Sequence, residues 1–473
     1  MHSDRATVER DLALEEQRIT EWLESEMGCS SVSIQRMHRW RPIMQVDVTR
    51  DGKCERYFLK GERTWPTHPY SLEYERDMQK VLGENGIKVP KILGWIPDPA
   101  TIVMEWVDGA RDAGLIQQAI ENGSEMDDDR WQASLHYMEI LAQLHKIPVE
   151  RFAEAGAELP ASNEQLVLGN FERFHAMSEQ VGISDPFIAF MSTWLRRNCL
   201  DKQVTPAFLT GDCGQFMSKG PDITCLMDFE IGHIGDPMRD LACFRGRHPI
   251  ENLGDLPSLF RQYEAAAGNP LDWHALAFHT AAFLTEAYYG PLIGLHDKGP
   301  GGDWVESYVQ VAIIGRRALE ALAELKDIQL QEITLPAAQQ TPLEDLALTR
   351  LNEEIMRLPL HAQMQGWQRN ILASLPQMLL RMGHYKSWRD EAYCQDVRTL
   401  TQQNIAGVVD ADSALMAYIK SANSAEDPDI VGLLHRKLLR DCLIIAGPKP
   451  PVDHIALAPM EPVLHLASDR SGS

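Results

Sequence analysis

The chain has 473 residues, which favours two or three domains, and its 44% of hydrophobic and 24% of charged residues are typical of a globular protein. Acidic residues outnumber basic ones by 68 to 45, so the net charge is −23. Such a charge repels the phosphate backbone of DNA and RNA and excludes a nucleic-acid partner.

The N-terminal segment is charged and lacks the apolar stretch of a signal peptide. No run in the chain approaches the roughly 18–20 apolar residues that span a bilayer. The eight cysteines are scattered without a C-x-x-C pair, which argues against a structural zinc site or a disulfide scaffold. The sequence therefore predicts a soluble, cytoplasmic protein with no membrane partner.

The first elements in chain order are a helix and a β-rich region. Residues 1–27 are predicted as an N-terminal helix segment, with apolar residues at helical spacing from residue 6. Between Val32 and Lys60, short β-rich runs are broken at Asp51-Gly52, a hairpin turn signal. A helix with Ser71 as its N-cap follows, and then two short apolar strands, at 89–96 and 101–106. Residues 28–107 are therefore predicted to form a small β-rich lobe.

Beyond residue 109 the pattern is mainly helical, with a predicted helix over 131–145, a strand–turn–strand unit over 207–229 and further helices over 238–325. Residues 327–345 have two prolines and little periodicity, which is typical of a linker. We expect an α+β fold in which a mainly helical lobe over 108–326 follows the small lobe. The linker then leads to a C-terminal α-helical domain over 346–473.

Four residues carry the pattern of a catalytic cleft. Lys60 ends the strand RYFLK, and Glu75 lies on the following helix, where it can pair with that lysine. Asp212, in T-G-D, and Asp228, in D-F-E, each follow an apolar strand. Acids at the exits of adjacent strands can project into one cleft, and a lysine with such carboxylates suits phosphoryl transfer. The structural alternative is a solvated lysine and two aspartates that cap turns.

Two further acids follow in the segment I-G-D-P-M-R-D. Asp236 is expected to cap the turn into the next helix, and Asp240 to support the T-G-D loop by accepting backbone N–H groups. His136 and His145 are nine residues apart, which is not a metal-ligand spacing, so we expect core or surface roles for both.

The stretch DFEIGHIGDPMRDLACFR (228–245) resembles the magnesium-loop signature of the aminoglycoside phosphotransferase and choline kinase superfamily, and is closest to its hydroxyacyl-CoA kinase branch. The pieces YFLK, V-M-E-W-V-D-G (103–109) and A-Q-L-H (142–145) are similar to other family segments, in the family's order. The resemblance covers residues 28–326. It implies a two-lobed, protein-kinase-like fold, with the nucleotide site in 28–107 and the catalytic hairpin and acceptor pocket in 108–326.

The resemblance also implies ATP and Mg²⁺ as cofactors. By this likeness Lys60 holds the phosphates and Glu75 pairs with it. The backbone that receives the adenine is supplied by Glu105, Trp106 and Val107.

By the same likeness Asp212 is the catalytic base and Asp228 binds magnesium. The family's loop H-G-D-x-x-x-x-N reads T-G-D-C-G-Q-F-M here, with Thr210 in the place of the histidine and Met217 in that of the asparagine. Magnesium prefers hard oxygen ligands to a thioether. Gln215 is therefore the expected substitute ligand, with Ser218 or water as alternatives.

The loop expected to cover the phosphates, near residues 37–46, lacks the glycines that let backbone N–H groups approach. Arg39 and Arg41 either contact phosphate directly or are surface charges that flank a packed Trp40. A later aromatic-rich stretch either lines the acceptor pocket, as the resemblance implies, or packs in the core; it comprises Trp273, His274, His279, Tyr288 and Tyr289.

The resemblance implies an ATP-dependent kinase that phosphorylates a hydroxyl group of a small molecule, such as a hydroxyacyl-CoA or another hydroxylated metabolite. The departures at residues 210 and 217 favour the alternative, a catalytically impaired relative that binds a ligand or a partner. Adenylylation is a third possibility. The C-terminal helices are expected to pack on the large lobe, close the acceptor pocket or mediate a homodimer.

Overall fold

The structure is a computed structural model, and it describes residues 12–37, 41–63, 68–111, 126–297, 302–360, 363–446 and 452–470. Helix α1 (Leu12–Met27) opens this part of the chain. The predicted helical residues 6–11, together with Arg39 and Trp40, lie outside the described residues. No helix of the described ranges combines the length and the apolar character that crossing a membrane requires.

The small lobe is a five-stranded antiparallel sheet in the order β1-β2-β3-β5-β4. Its strands are β1 (Ser30–Met37), β2 (Ile43–Arg50), β3 (Lys53–Gly61), β4 (Ile92–Pro97) and β5 (Ala100–Glu105). The predicted hairpin turn is confirmed, because Asp51 and Gly52 both have positive φ angles, 50° and 72°. Two such residues match the twist of a tight hairpin.

The two faces of this sheet have different surroundings because successive side chains of a strand point to opposite sides. Leu59 and Val46 are buried against Ile19 and Leu23 of α1. Lys60, the neighbour of Leu59 on β3, points to the other face. Helix α2 (Leu72–Glu84) packs on that face, and Ser71 caps it as predicted by accepting from the Tyr74 N–H group at 3.2 Å.

The small lobe continues into the large one through residues 106–109. These lead to β6 (Ala110–Arg111), which pairs with β8 (Phe216–Lys219) and, through it, with β9 (Asp222–Leu226). A separate two-stranded sheet pairs β7 (Ala207–Leu209), which precedes β8 in the sequence, with β10 (His233–Gly235), which follows β9. The Leu226 N–H group donates to the Lys88 carbonyl oxygen at 2.8 Å, so the hairpin is bonded to the small lobe.

The rest of the large lobe is helical, and with the sheet lobe it confirms the predicted α+β class and the two-lobed arrangement. Its helices are α3 (Asp128–Leu144), α4 (Val149–Glu154), α5 (Asn163–Val181), α6 (Pro186–Arg197), α7 (Met238–Glu251), α8 (Leu256–Ala267), α9 (Trp273–His296) and α10 (Trp304–Lys326). The aromatic-rich stretch belongs to α9, which is buried on nearly every side.

That burial decides between the two interpretations of the stretch. Trp273, His279, Tyr288 and Tyr289 are at most 6% exposed and pack within the lobe, whereas His274 faces solvent. The core interpretation is therefore confirmed for these four buried residues, which do not line an open acceptor pocket, whereas His274 lies outside the core.

The chain ends in further helices, α11 (Pro342–Met356), α12 (Gln363–Thr401), α13 (Val408–Ser421), α14 (Asp427–Ile445) and α15 (Val452–Leu457). Helix α11 begins inside the stretch predicted as a linker. Helix α14 packs on α10, where a Cβ added to Gly315 would lie 2.9 Å from Leu438. The C-terminal helices thus extend the core of the large lobe, while the domain division at 327–345 stays a prediction.

Residues 455–464, the C-terminal strap, bond to charged side chains of α7 and α10. Arg245 and Arg317 donate to carbonyl oxygens of the strap at 2.6 and 2.7 Å. The Glu324 carboxylate accepts from two strap N–H groups at 2.7 and 2.8 Å. Arg245 and Arg317 are about 1% exposed or less. Because unpaired buried charges are costly, these helices depend on the strap for hydrogen-bond partners.

Candidate active site

Lys60 joins the two lobes at the centre of the cleft. Its Nζ atom lies 2.5 Å from Glu75 Oε1 on α2 and 2.8 Å from Asp228 Oδ1, two residues beyond β9. Lys60 is 7% exposed and Glu75 is 1% exposed. The structure thus brings together three residues that are 15 and 168 positions apart in the sequence, and the interpretation of Lys60 as a solvated surface charge is wrong.

The charges of Lys60, Glu75 and Asp228 influence one another's pKa values. Burial lowers the pKa of Lys60, but the negative charges of Asp228 and Glu75 outweigh it, and the pKa lies above its usual value. Burial raises the pKa of Glu75, and Lys60 and Arg41 offset this only in part. Lys60 therefore stays an ammonium ion, the form that can neutralise phosphate.

Asp228 has a left-handed backbone, with φ at 67°. A residue with a Cβ pays a conformational cost there, and such residues are common at functional sites. In this conformation the carboxylate meets Lys60 while 28% of the side chain remains exposed. Asp228 is thus accessible to a ligand in the cleft.

A second group of charges, largely missed in the sequence, surrounds Lys60. Arg41 is 6% exposed, so the interpretation of it as a surface charge is wrong. It donates to Glu75 at 3.3 Å and to Glu230 at 2.5 Å. Arg63 contacts the other oxygen of Glu230, also at 2.5 Å. Glu230 belongs to the D-F-E segment, and its proximity to Asp228 in that segment was the feature of the sequence that could have indicated its place in this group.

The T-G-D loop is held from below by Asp240 on α7, as predicted. Its fully buried carboxylate accepts from the Thr210 N–H group at 2.7 Å and from the Gly211 N–H group at 3.1 Å. His145 lies 3.2 Å from the same carboxylate, which confirms a core role for this histidine. Asp236 also acts as predicted, since it accepts from the N–H group of Met238, the first residue of α7, at 2.9 Å.

Arg239, the neighbour of Asp240 on α7, fixes the same loop through a carbonyl oxygen. It donates to the Gly211 carbonyl oxygen at 2.8 Å and forms an ion pair with Glu286 of α9. Both side chains are buried, at 3% and 5% exposure. Asn170 of α5 donates to Glu286 at 2.7 Å. Three helices therefore position the backbone immediately before Asp212.

Among the described residues, the Asp212 carboxylate has three side-chain partners, and the weakest is the Cys243 thiol, whose Sγ atom lies 3.8 Å from Oδ1. Arg247 of α7 contacts Oδ1, and the Gln215 amide donates to Oδ2 at 2.6 Å. Arg247 also donates to Glu251 at 2.6 Å. The contact of Arg247 with Asp212 was not predicted, because no sequence motif includes Arg247. Gln215 was predicted from the sequence as a ligand of the metal ion. The structure places the Gln215 amide beside Asp212.

We expect Gly211→Ala to lower the free energy of unfolding more than Gly86→Ala does. Both glycines are left-handed, with φ at 80° and 85°, so each alanine costs about 1–2 kcal/mol for the backbone alone. A Cβ at Gly211 would also lie 2.3 Å from the Ile231 carbonyl oxygen, whereas one at Gly86 meets nothing within 4 Å. Urea unfolding of both variants measures the difference. Equal decreases in the free energy of unfolding would show that the Asp212 loop can shift to accommodate the added Cβ without further cost.

The segment expected to receive the adenine leaves the sheet at the end of β5. The Glu105 N–H group donates to the Lys91 carbonyl oxygen at 3.0 Å, so it is not available to a base. Trp106 and Val107 are half-buried and lie in the connection between the lobes. The Trp106 ring lies 6.4 Å from that of Phe58, which is on the same strand as Lys60.

The described residues contain no group of three His, Cys, Asp or Glu side chains placed to hold a metal ion. Met217 lies on β8, opposite Cys225, and offers no oxygen. Magnesium is commonly held by one or two carboxylates together with substrate phosphates and water. Asp228, with its partly exposed carboxylate, fits such a site. The described residues do not form a site in which protein side chains alone would coordinate the ion.

No protein-family model matches the chain, and no curated protein matches it. Among solved structures, it is similar to the macrolide 2′-phosphotransferase MphH from Brachybacterium faecium, at 16% identity over 63% of this chain and 97% of that one, with a TM-score of 0.44. A Plasmodium vivax ethanolamine kinase matches at 10% identity over 63% and 86% of the two chains, with a TM-score of 0.46.

A thermostable mutant of aminoglycoside phosphotransferase APH(4)-Ia, in complex with ADP and hygromycin B, matches at 12% identity. The match covers 64% of this chain and 97% of that chain, with a TM-score of 0.44. These identities and TM-scores are too low to assign a function, which has to come from the residues of this chain.

Proposed function

We propose that this chain is an ATP-dependent phosphotransferase of the aminoglycoside phosphotransferase and choline kinase type, with a protein-kinase-like fold. One observation carries the proposal. Lys60, on the sheet face that meets the cleft, bonds to Glu75 on the neighbouring helix and to Asp228 beyond the hairpin. A lysine joined to a helix carboxylate and to a cleft carboxylate is the arrangement that positions nucleotide phosphates in kinases.

In the proposed reaction a hydroxyl oxygen of the acceptor forms a bond to the terminal phosphorus of ATP. The bond between that phosphorus and the bridging oxygen breaks, and ADP leaves with the bonding electrons. The hydroxyl proton passes to the Asp212 carboxylate, whose Oδ2 is oriented by Gln215. Lys60 neutralises phosphate charge throughout.

Mg²⁺, when bound, would neutralise charge on the phosphate oxygens. Asp228 is the residue of this chain that we propose for it, together with the phosphates themselves. Because the Gln215 amide bonds to Asp212, we assign Gln215 to orienting that carboxylate.

We propose a hydroxylated metabolite as the acceptor, with a hydroxyacyl-CoA as the first compound to test, on the strength of the resemblance over residues 228–245. The net charge of −23 and the eight free thiols are in keeping with a cytoplasmic enzyme.

A second candidate function is a ligand-binding relative without transfer activity. The observation in its favour is the contact of Arg247 with Asp212 Oδ1, which occupies one oxygen of the proposed base. Met217 in place of an asparagine adds to it.

We expect Lys60→Met to reduce phosphate transfer by about a hundredfold or more, because the phosphates lose their buried cation. The measurement is transfer of labelled phosphate from ATP and Mg²⁺ to hydroxy acids, hydroxyacyl-CoAs and aminoglycosides, together with the Kd for ATP. Lys53→Met, at the exposed start of the same strand, is the matched control and should leave both values unchanged.

The outcomes separate the two candidates. Transfer by the wild type that is lost only in Lys60→Met supports the kinase. ATP binding without transfer to any acceptor supports the ligand-binding relative. The absence of ATP binding at millimolar concentration in the wild type would end the kinase proposal.

A further inference from the structure

Glu230 lies between two arginines at the end of the sheet that carries Lys60. Arg41 Nη2 contacts Glu230 Oε2 at 2.5 Å, and Arg63 Nη2 contacts Oε1 at 2.5 Å, so each oxygen takes one guanidinium group. Arg41 precedes β2 and Arg63 follows β3, and the Gly61 N–H group donates to the Pro42 carbonyl oxygen at 2.7 Å. The two arginines therefore flank the end of one strand pair.

This pair of arginines has donors that Glu230 does not use. Arg41 Nε and Arg63 Nε are both buried, and neither has a hydrogen-bond partner among the described residues. Guanidinium groups match phosphate oxygens in a bidentate manner. A carboxylate has two oxygens, whereas a chain of phosphates offers many more. The two arginines can therefore bind an anion larger than the one they now hold.

The charges of the cluster balance without a ligand. Its cations are Arg41, Lys60 and Arg63, and its carboxylates are Glu75, Asp228 and Glu230. A triphosphate that enters this neutral cluster brings an excess of negative charge; bound Mg²⁺ would offset part of it, and the withdrawal of one carboxylate would reduce it further.

Of the three carboxylates, Glu230 is the one placed to leave its arginine partners when a phosphate binds. Among the described residues, its ion pairs are with Arg41 and Arg63, and its side chain is 17% exposed. Glu75 is 2% exposed in its side chain and is fixed on α2, and Asp228 bonds to Lys60. Its departure would leave Arg63 without an ion-pair partner among the described residues, and it would release Arg41 Nη2 while Arg41 Nη1 keeps its bond to Glu75.

We propose that Arg41 and Arg63 bind the nucleotide phosphates in place of a glycine-rich loop, and that Glu230 is an internal anion which occupies them until phosphate displaces it. This rests on the proposed function of the cleft. Glu230 thereby weakens binding of triphosphates to the resting protein, because each binding event has to break two ion pairs.

The test uses the full-length chain and calorimetric titration with ATP, inorganic tripolyphosphate and adenosine. We expect Glu230→Gln to tighten binding of ATP and of tripolyphosphate by about tenfold, the scale of one charge-assisted hydrogen bond. Adenosine affinity should not change, since it carries no phosphate. Glu84→Gln, which removes an exposed acid at the end of α2, is the matched control and should leave all three affinities unchanged.

A double-mutant cycle tests whether Glu230 acts through the arginines. The gain from Glu230→Gln should disappear in a chain that also carries Arg41→Gln and Arg63→Gln, since coupled residues are not additive. Glu230→Asp, which keeps the charge, should keep the weak binding of the wild type. The melting temperature of Glu230→Gln should fall without ligand and recover with tripolyphosphate, which also shows that the variant is folded.

Unchanged or weaker ATP and tripolyphosphate binding in folded Glu230→Gln would overturn the inference. That result, with phosphate transfer still dependent on Lys60, would leave the proposed function standing. Tripolyphosphate binding strengthened in Glu230→Gln, in a chain that transfers no phosphate to any acceptor, would instead support the inference while the proposed function fails.

Discussion

Asp212→Asn is expected to lower kcat for phosphate transfer by about 10²–10⁴-fold, the usual contribution of a general base. The asparagine keeps the shape of the side chain and cannot accept the hydroxyl proton. Because the interaction with the proton is made in the transition state, KM for the acceptor and Kd for ATP should change by about twofold at most. Steady-state kinetics with an acceptor that the wild type phosphorylates in the transfer assay, and ATP titration, measure these values.

The matched control is Asp222→Asn, at the exposed start of β9 in the same hairpin. It should leave kcat unchanged. A variant at Asp212 that retains kcat would show that this carboxylate does not accept the proton. A rise in KM alone would assign Asp212 to acceptor binding instead.

Glu286→Leu is expected to lower the free energy of unfolding by about 3–5 kcal/mol, because it leaves the Arg239 guanidinium buried without its carboxylate. The exposed pair Arg196–Glu172, at 2.6 Å, is the control: its side chains are 40% and 39% exposed. Glu172→Leu should cost less than about 1 kcal/mol. Urea unfolding at neutral pH measures both.

The double variant Arg239→Met with Glu286→Leu separates stability from positioning. Replacing both partners of a buried pair by apolar side chains restores most of the lost stability. Phosphate transfer by the double variant should nevertheless be lower than that of the wild type, since Arg239→Met removes the donor to the Gly211 carbonyl oxygen. Equal losses in Glu286→Leu and Glu172→Leu would show that the buried pair is not needed for folding. Full activity in the double variant would show that Arg239 does not position the loop.

The sequence predicted those parts of the fold and site that depend on local signals. The Asp51-Gly52 turn, the Ser71 cap and the capping by Asp236 each involve residues within three positions of one another. Asp240, 30 positions from Thr210, was predicted because it belongs to a segment with a recognisable pattern.

Ion pairs between distant residues could not be predicted in this way. Arg247 meets Asp212 across 35 positions, and Arg63 meets Glu230 across 167. An arginine is compatible with many acids, and spacing along the chain does not choose among them. Tertiary packing makes that choice.

The aromatic stretch shows a different limit. Resemblance placed Tyr288 and Tyr289 at an acceptor pocket, yet both are at most 2% exposed. Helix α9 is apolar around its whole circumference, and such helices are buried in the interior. That pattern was present in the sequence, and it favoured the core over the acceptor pocket that the resemblance implied.

The C-terminal strap has a consequence for biosynthesis. Helix α7 carries Asp240, Arg245 and Arg247, but the main-chain partners of Arg245 lie at Glu461, more than two hundred residues later in translation. A nascent chain that has not reached the strap holds α7 and α10 with buried charges that lack these partners. The last hydrogen-bond partners of α7, the helix that carries Asp240, are therefore synthesised after the small lobe, α9 and α12.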